Sequence, residues 1–126
     1  MNGRSNNIEG ESILWPDSSL EGVQAEYENF SIHIREETGA RKTVHCIGYI
    51  GFQMIGFWDE MIIETARVLP VHSFITDCEQ RVKFLPETGA KSRVASGNVL
   101  FEIILIDGCK LWVCAHRFHC DYYPVR

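Results

Sequence analysis

Apolar and polar residues alternate along much of this chain, and the period of the alternation changes from one stretch to the next. Through residues 22 to 36 the period is two: Val23, Ala25 and Tyr27, then Phe30, Ile32 and Ile34, alternate with polar neighbours such as Ser31, His33 and Arg35. A period of two with β-branched and aromatic residues predicts strands buried on one face. Glu28-Asn29 marks either a tight turn between two short strands or a bulge in one long one. Thr38-Gly39-Ala40-Arg41 reads as a turn, and residues 43 to 50 as the next strand, with Val44, Cys46 and Ile50 on one side. Three glycines then interrupt a bulky apolar stretch, Gly48 to Trp58, which predicts an irregular and largely buried connection. Its aromatics Tyr49, Phe52, Phe57 and Trp58 are expected in the core.

Residues 60 to 69 fit two periods. Met61, Ile63 and Thr65 oppose Ile62, Glu64 and Ala66 as in a strand, and Trp58, Met61, Ile62, Thr65, Val68 and Leu69 also line up as a helical stripe. Their β-branched content selects the strand. Helical spacing is clearest over residues 71 to 85, where Val71, Phe74, Ile75, Cys78, Val82 and Leu85 share a face. Ser73 is the expected N-cap, Asp77–Arg81 and Glu79–Lys83 are spaced as ion pairs, and Pro86 and Gly89 end the helix. A polar loop follows, residues 87 to 98. Two apolar runs around Asp107-Gly108 then predict a type I′ hairpin, with Ile106 opposite Cys109 and Ile104 opposite Leu111. Both faces of that hairpin are apolar, so it needs cover on both sides. The predicted architecture is α+β: an antiparallel sheet of about six strands, one main helix over about 72–85, and a C-terminal hairpin. Residues 1–11 read as a flexible polar tail and 12–126 as a single domain.

Composition narrows the class. The chain has 126 residues, 45% hydrophobic and 23% charged, which suits one globular domain. Its 12 basic and 17 acidic residues give a net charge of −5, and the basic ones are scattered. That balance disfavours a nucleic-acid partner and suits a basic protein. The five cysteines, an odd number with no secretory leader in view, predict reduced thiols and a cytoplasmic location. No apolar run approaches the roughly 18 residues of a membrane span.

Four groups could carry chemistry. Cys114, His116, His119 and Cys120, followed by Asp121, are the right atom types for zinc, and Cys109 or His45 could add ligands. Their spacing matches no finger or ribbon, so the expectation is no metal, with a buried Cys114 and a polar chain end. A Cys–His nucleophile, Cys46 with His45 or Cys114 with His116, needs a depressed thiol pKa that burial within a strand opposes. Asp59-Glu60, Glu64 and Glu102 could act as acids and bases, but solvated acids at an element boundary are routine. Glu102 lies within an otherwise apolar strand and needs a partner if buried, so it reads either as an ion pair with a nearby arginine or as a charge that deters wrong strand pairing. Gly48-x-x-Gly51-x-x-x-x-Gly56 matches neither a dinucleotide fingerprint nor a P-loop. No catalytic residue and no cofactor is therefore assigned.

The stretch Val44 to Phe52, the run Gly56-Phe57-Trp58-Asp59-Glu60 and the Ile106-Asp107-Gly108 turn resemble a group of small bacterial proteins that are similar to the immunity proteins of polymorphic toxin systems. The resemblance spans about residues 20 to 117. It implies a compact cytosolic α+β domain that binds and blocks a protein and needs no catalytic site. The functional expectation is a non-enzymatic protein-binding domain. The alternative is a small metal-binding or acid/base enzyme using the Cys114–Asp121 region, and a third reading is a small-ligand carrier with an apolar pocket under residues 48 to 58.

Overall fold

The structure, a computed structural model, describes residues 16–57, 61–82 and 97–123. It contains β1 (Ser19–Glu26), β2 (Asn29–Arg35), β3 (Arg41–Ile47), β4 (Gly51–Ile55), β5 (Ile63–Leu69), α1 (Ser73–Val82), β6 (Val99–Leu105), β7 (Lys110–Ala115) and β8 (Arg117–Tyr123). The strands form two four-stranded sheets, in the orders β1-β2-β3-β8 and β4-β7-β6-β5, and every pairing within them is antiparallel. Among the described residues there are therefore eight strands rather than about six, and two sheets replace the expected one.

The extra strands arise at a corner. Gly48 has φ 70°, in the left-handed region that glycine adopts without strain. The chain turns there, so that β3 lies in the first sheet and β4 in the second. Opposite, the chain turns again at His116, between β7 and β8, and the His116 amide donates to the Ile47 carbonyl at 3.1 Å. The paired strands β3 and β8 thus continue as β4 and β7, and this two-stranded ribbon belongs to both sheets. A second junction joins β1 to β5: the Leu20 amide donates to the Met61 carbonyl at 2.8 Å, and the Ile63 amide to the Ser18 carbonyl at 2.7 Å.

Alternation explains how the two sheets pack. Phe30, Ile32, Ile34, Val44, Cys46 and Phe118 face inward from the first sheet and meet Ile63, Phe101, Ile103, Leu105, Leu111 and Val113 from the second. Burying each of the larger side chains is worth about 1.5–3 kcal/mol, which makes this contact the main source of cohesion. The opposite face of the second sheet is apolar too, and α1 lies over β6 and β7 there. Ile75, Cys78, Leu100 and Cys114 form a second, smaller core beneath the helix. The two-sided apolar hairpin is thus covered on both faces, as its pattern predicts.

Three local expectations change. The β6–β7 turn is not type I′. Gly108 alone takes a positive φ, 90°, and Asp107 does not. The Gly108 amide donates to the Leu105 carbonyl, and the Leu105 amide to the Cys109 carbonyl, both at 2.9 Å. This is a three-residue loop, a type I turn with a left-handed glycine, braced by the Cys109 amide donating to Asp107 Oδ1 at 3.0 Å. The register therefore slips by one from the expected pairing: Ile104 lies opposite Lys110 and Ile103 opposite Leu111. The hairpin is also not the end of the fold, because β8 follows it into the other sheet.

The helix begins as expected, but His72 caps it rather than Ser73. His72 Nδ1 accepts from the Phe74 amide at 3.0 Å. Its predicted last turn, residues 83 to 85, lies outside the described residues, as do the tail and most of the 87–98 loop. Residues 63–69 form a strand, which their β-branched content predicts. Lastly, the Gly48–Phe57 connection is not buried: it contains β4, whose side chains are largely exposed.

Candidate functional site

Two surfaces stand out, one polar and one apolar. The polar one is the outer face of the first sheet. Residues that alternate with the core residues of β2, β3 and β8 all point outward, and register brings three of them into a row: Ser31 opposite His45, and His45 opposite His119. Asp121, two residues along β8 from His119, lies between the two imidazoles. His45 Nε2 donates to Asp121 Oδ2 at 2.9 Å and His119 Nε2 donates to Asp121 Oδ1 at 2.8 Å. The Asn29 amide Nδ2 donates to His45 Nδ1 at 3.2 Å. An amide nitrogen only donates, so the His45 ring proton sits on Nε2, toward Asp121. His33 Nδ1 and Thr43 Oγ1 make a further pair at 3.1 Å.

Ser31, His45 and Asp121 follow the order of a Ser–His–Asp relay, with Ser31 Oγ 3.4 Å from His45 Nδ1. The surroundings do not suit acyl transfer. Such chemistry needs free N–H donors for the oxyanion and an open hydroxyl. Ser31 lies on β2, an interior strand paired on both sides, and is only 6% exposed. Its neighbours' amides are committed to the sheet. The row is a hydrogen-bonded network on the outer face of the sheet.

The proposed metal ligands disperse. Cys114 points from β7 toward α1 and packs with Cys78. His116 sits exposed at the corner, His119 lies on the outer face of the first sheet, and Cys120 turns inward against the core. Alternation along β8 puts His119 and Cys120 on opposite faces. Cys109 is buried beside Gly56, away from the others. Among the described residues no group of three or more His, Cys, Asp or Glu side chains converges as a metal site. Cys46 is buried in the main core, and burial pushes its thiol well above its ordinary pKa. His45, its neighbour, points to the opposite face. No Cys–His nucleophile forms from either pair.

Glu102 has the arginine that its burial demands. Arg67 Nε donates to it at 2.7 Å and Trp112 Nε1 at 2.8 Å. Burial alone would raise its pKa, but the hydrogen bonds from Trp112 and Arg67, with the charges of Arg67 and Lys110, outweigh it and hold the carboxyl below its ordinary value. It is a structural charge. Glu64 is exposed on β5, and Asp59, Glu60 and Trp58 lie outside the described residues.

The apolar surface is β4 and the residues after it. Phe52 is 44% exposed, Met54 40%, Ile55 40% and Phe57 92%. Among the described strands β4 pairs with β7 alone, so it is an edge of the second sheet. Natural edge strands are guarded by charges, prolines or bulges. β1 carries Glu21, Glu26 and a register shift between Leu20 and Gly22, and β8 carries Arg117 and Asp121. β4, Gly-Phe-Gln-Met-Ile, has none of these, and it is the one described strand with no charged residue. It is nevertheless held firmly. A Cβ built on Gly51 would collide with Cys78 Sγ, and one on Gly56 with Cys109 Sγ. Phe52 stacks on Phe30 at 4.5 Å between ring centroids. Sequence reasoning missed this site because apolar residues between glycines read equally well as core.

Comparison of the chain with protein-family models, with curated proteins and with solved structures gives no match. What fold and site define is a class: a two-sheet antiparallel domain, backed by one helix, with an unguarded apolar edge. Among the described residues no helix is long and apolar enough to cross a membrane.

Proposed function

We propose that this chain is a non-enzymatic protein-binding domain, and that β4 is its docking strand. The carrying observation is the pinned, charge-free edge with four bulky apolar side chains in the open. An extended partner segment would supply the ladder hydrogen bonds that β4 lacks on its free side. Its apolar side chains would cover Met54 on one face of the strand and Ile55 on the other. Exposed apolar surface of this kind marks interaction sites on soluble domains. The net charge of −5 favours a basic partner. An immunity-like role, blocking a toxin by covering it, is the form of binding to which the resemblance around residues 44 to 60 points.

The test is selection of binders from a displayed library of random short peptides, followed by affinity measurement against variants. The expected binders are extended and rich in alternating apolar residues. Met54→Lys and Ile55→Lys each weaken them at least about tenfold, whereas Asp121→Asn leaves affinity within about twofold. Binders indifferent to both lysine variants, or no enrichment above that seen with Met54→Lys protein, would remove β4 as the docking strand.

A further inference from the structure

A second feature lies beneath α1, beside the start of the docking strand. Cys78 faces the second sheet from the buried side of the helix, and Cys114 faces the helix from β7. Gly51 is the cross-strand partner of Cys114. The close approach of Cys78 Sγ to Gly51 therefore also places it over β7, beside the Cys114 thiol. Only a residue without a side chain leaves room there for the sulfur. Hydrogen bonding with Cys114 lowers the Cys78 pKa against the opposing effect of burial, and the same pairing together with burial raises Cys114 far above its ordinary value. Five cysteines are free in this structure, and these two pack in one buried cluster across an element boundary.

We propose that Cys78 and Cys114 form a reversible disulfide that locks α1 to the second sheet when the chain meets hydrogen peroxide. Cys78 is the attacking group: it is 5% exposed, whereas Cys114 is wholly buried. The Cys78 thiolate displaces one oxygen of the peroxide. The O–O bond breaks, the departing hydroxide takes up a proton as water, and Cys78 becomes a sulfenic acid. The Cys114 sulfur then attacks the Cys78 sulfur, and the S–O bond breaks. The released hydroxide accepts the Cys114 proton as a second water. Two thiols lose two protons and two electrons, and one peroxide becomes two waters. A low-molecular-weight thiol reverses the bond by exchange. The new cross-link restricts the unfolded chain between the helix and β7, so the oxidised form melts at a higher temperature.

The experiment treats the purified full chain with a small excess of hydrogen peroxide, quenches it, and reads intact mass, peptide map and melting temperature. The expected result is a loss of two hydrogens, mapped to a Cys78–Cys114 linked peptide and restored by dithiothreitol. The melting temperature should rise by more than about 5 °C. Cys114→Ser protein should instead yield a Cys78 sulfenic acid that dimedone traps, and Cys109→Ser protein should behave as the parent does. The map of the parent chain decides the matter even if a serine variant folds poorly. All five thiols still reducible and unlinked, or a linkage joining another pair, would overturn the proposal.

Discussion

The two sheets differ in what they do with the face turned away from the main core. The first sheet turns out a polar surface whose groups bond to one another: Asp121 between His45 and His119, Asn29 on His45, His33 with Thr43. It needs no cover, and both of its edges carry charge. The second sheet is apolar on both faces and must be covered twice, by the first sheet and by α1. The helix lies over β6 and β7 and meets β4 at Gly51. Beyond both covers the apolar surface stays open, with Phe52 and Met54 on the face toward the first sheet, Ile55 on the helix face, and Phe57 after the strand. The difference teaches where to look for a binding surface: at the place where a two-sided apolar sheet outruns its cover, rather than at the conspicuous histidines.

That contrast can be broken by substitution. Leu100→Ala removes a fully buried side chain from beneath α1 and should cost about 3 kcal/mol, read from urea unfolding. A loss below about 1 kcal/mol would mean that the helix is a loose cover and the second sheet tolerates exposure. Gly56→Ala should cost about 2 kcal/mol: its φ is 129°, and the added Cβ would meet the Cys109 side chain and lie 3.0 Å from its Cα. Gly108→Ala, with a similar φ of 90° but open space around it, should cost about 1 kcal/mol. Equal losses at the two glycines would show that β4 is not pinned by Cys109.

Electrostatics sharpens the contrast further. Glu102 is the charge buried on the helix side of the second sheet, and its folded pKa lies below its ordinary value. Its contribution is therefore present above the unfolded carboxylate pKa of about 4.3 and is lost as pH falls through the folded value. Glu102→Gln should destabilise by about 1–2 kcal/mol at neutral pH, and the gap between variant and parent should close in acid. Unfolding curves taken from pH 7 down to pH 3 check this, and a gap constant with pH would contradict it. The smallest effect belongs to the outer face of the first sheet. His119 and Asp121 are both well exposed, so His119→Ala should change stability by less than about 0.5 kcal/mol.

Much of the fold was legible, and the failures have physical causes. Period-two alternation marked β2 and β3, and helical spacing marked α1, because each buries one face; β6 and β7, buried on both faces, were marked by apolar runs flanking Asp107-Gly108. The β6–β7 hairpin was visible in Asp107-Gly108, but its register was not. The same dipeptide serves a two-residue and a three-residue loop, and only the φ of Asp107 tells them apart. The corner at Gly48 was read as irregularity, since nothing local says that a ribbon changes sheet there. The Ser31–His45–Asp121 row and the Cys78–Cys114 contact join residues far apart in sequence, which only register can bring together. β4 was placed in the core because exposure of an apolar strand is decided by how far the first sheet and α1 reach over it, which nothing local states.

Amide hydrogen exchange of the chain with and without a selected apolar peptide tests the docking strand most directly. Protection gained at residues 51–55, with the amides of 29–35, 41–47 and 117–123 unchanged, is the predicted result. Protection on those three strands of the first sheet, with residues 51–55 exchanging as before, would contradict it.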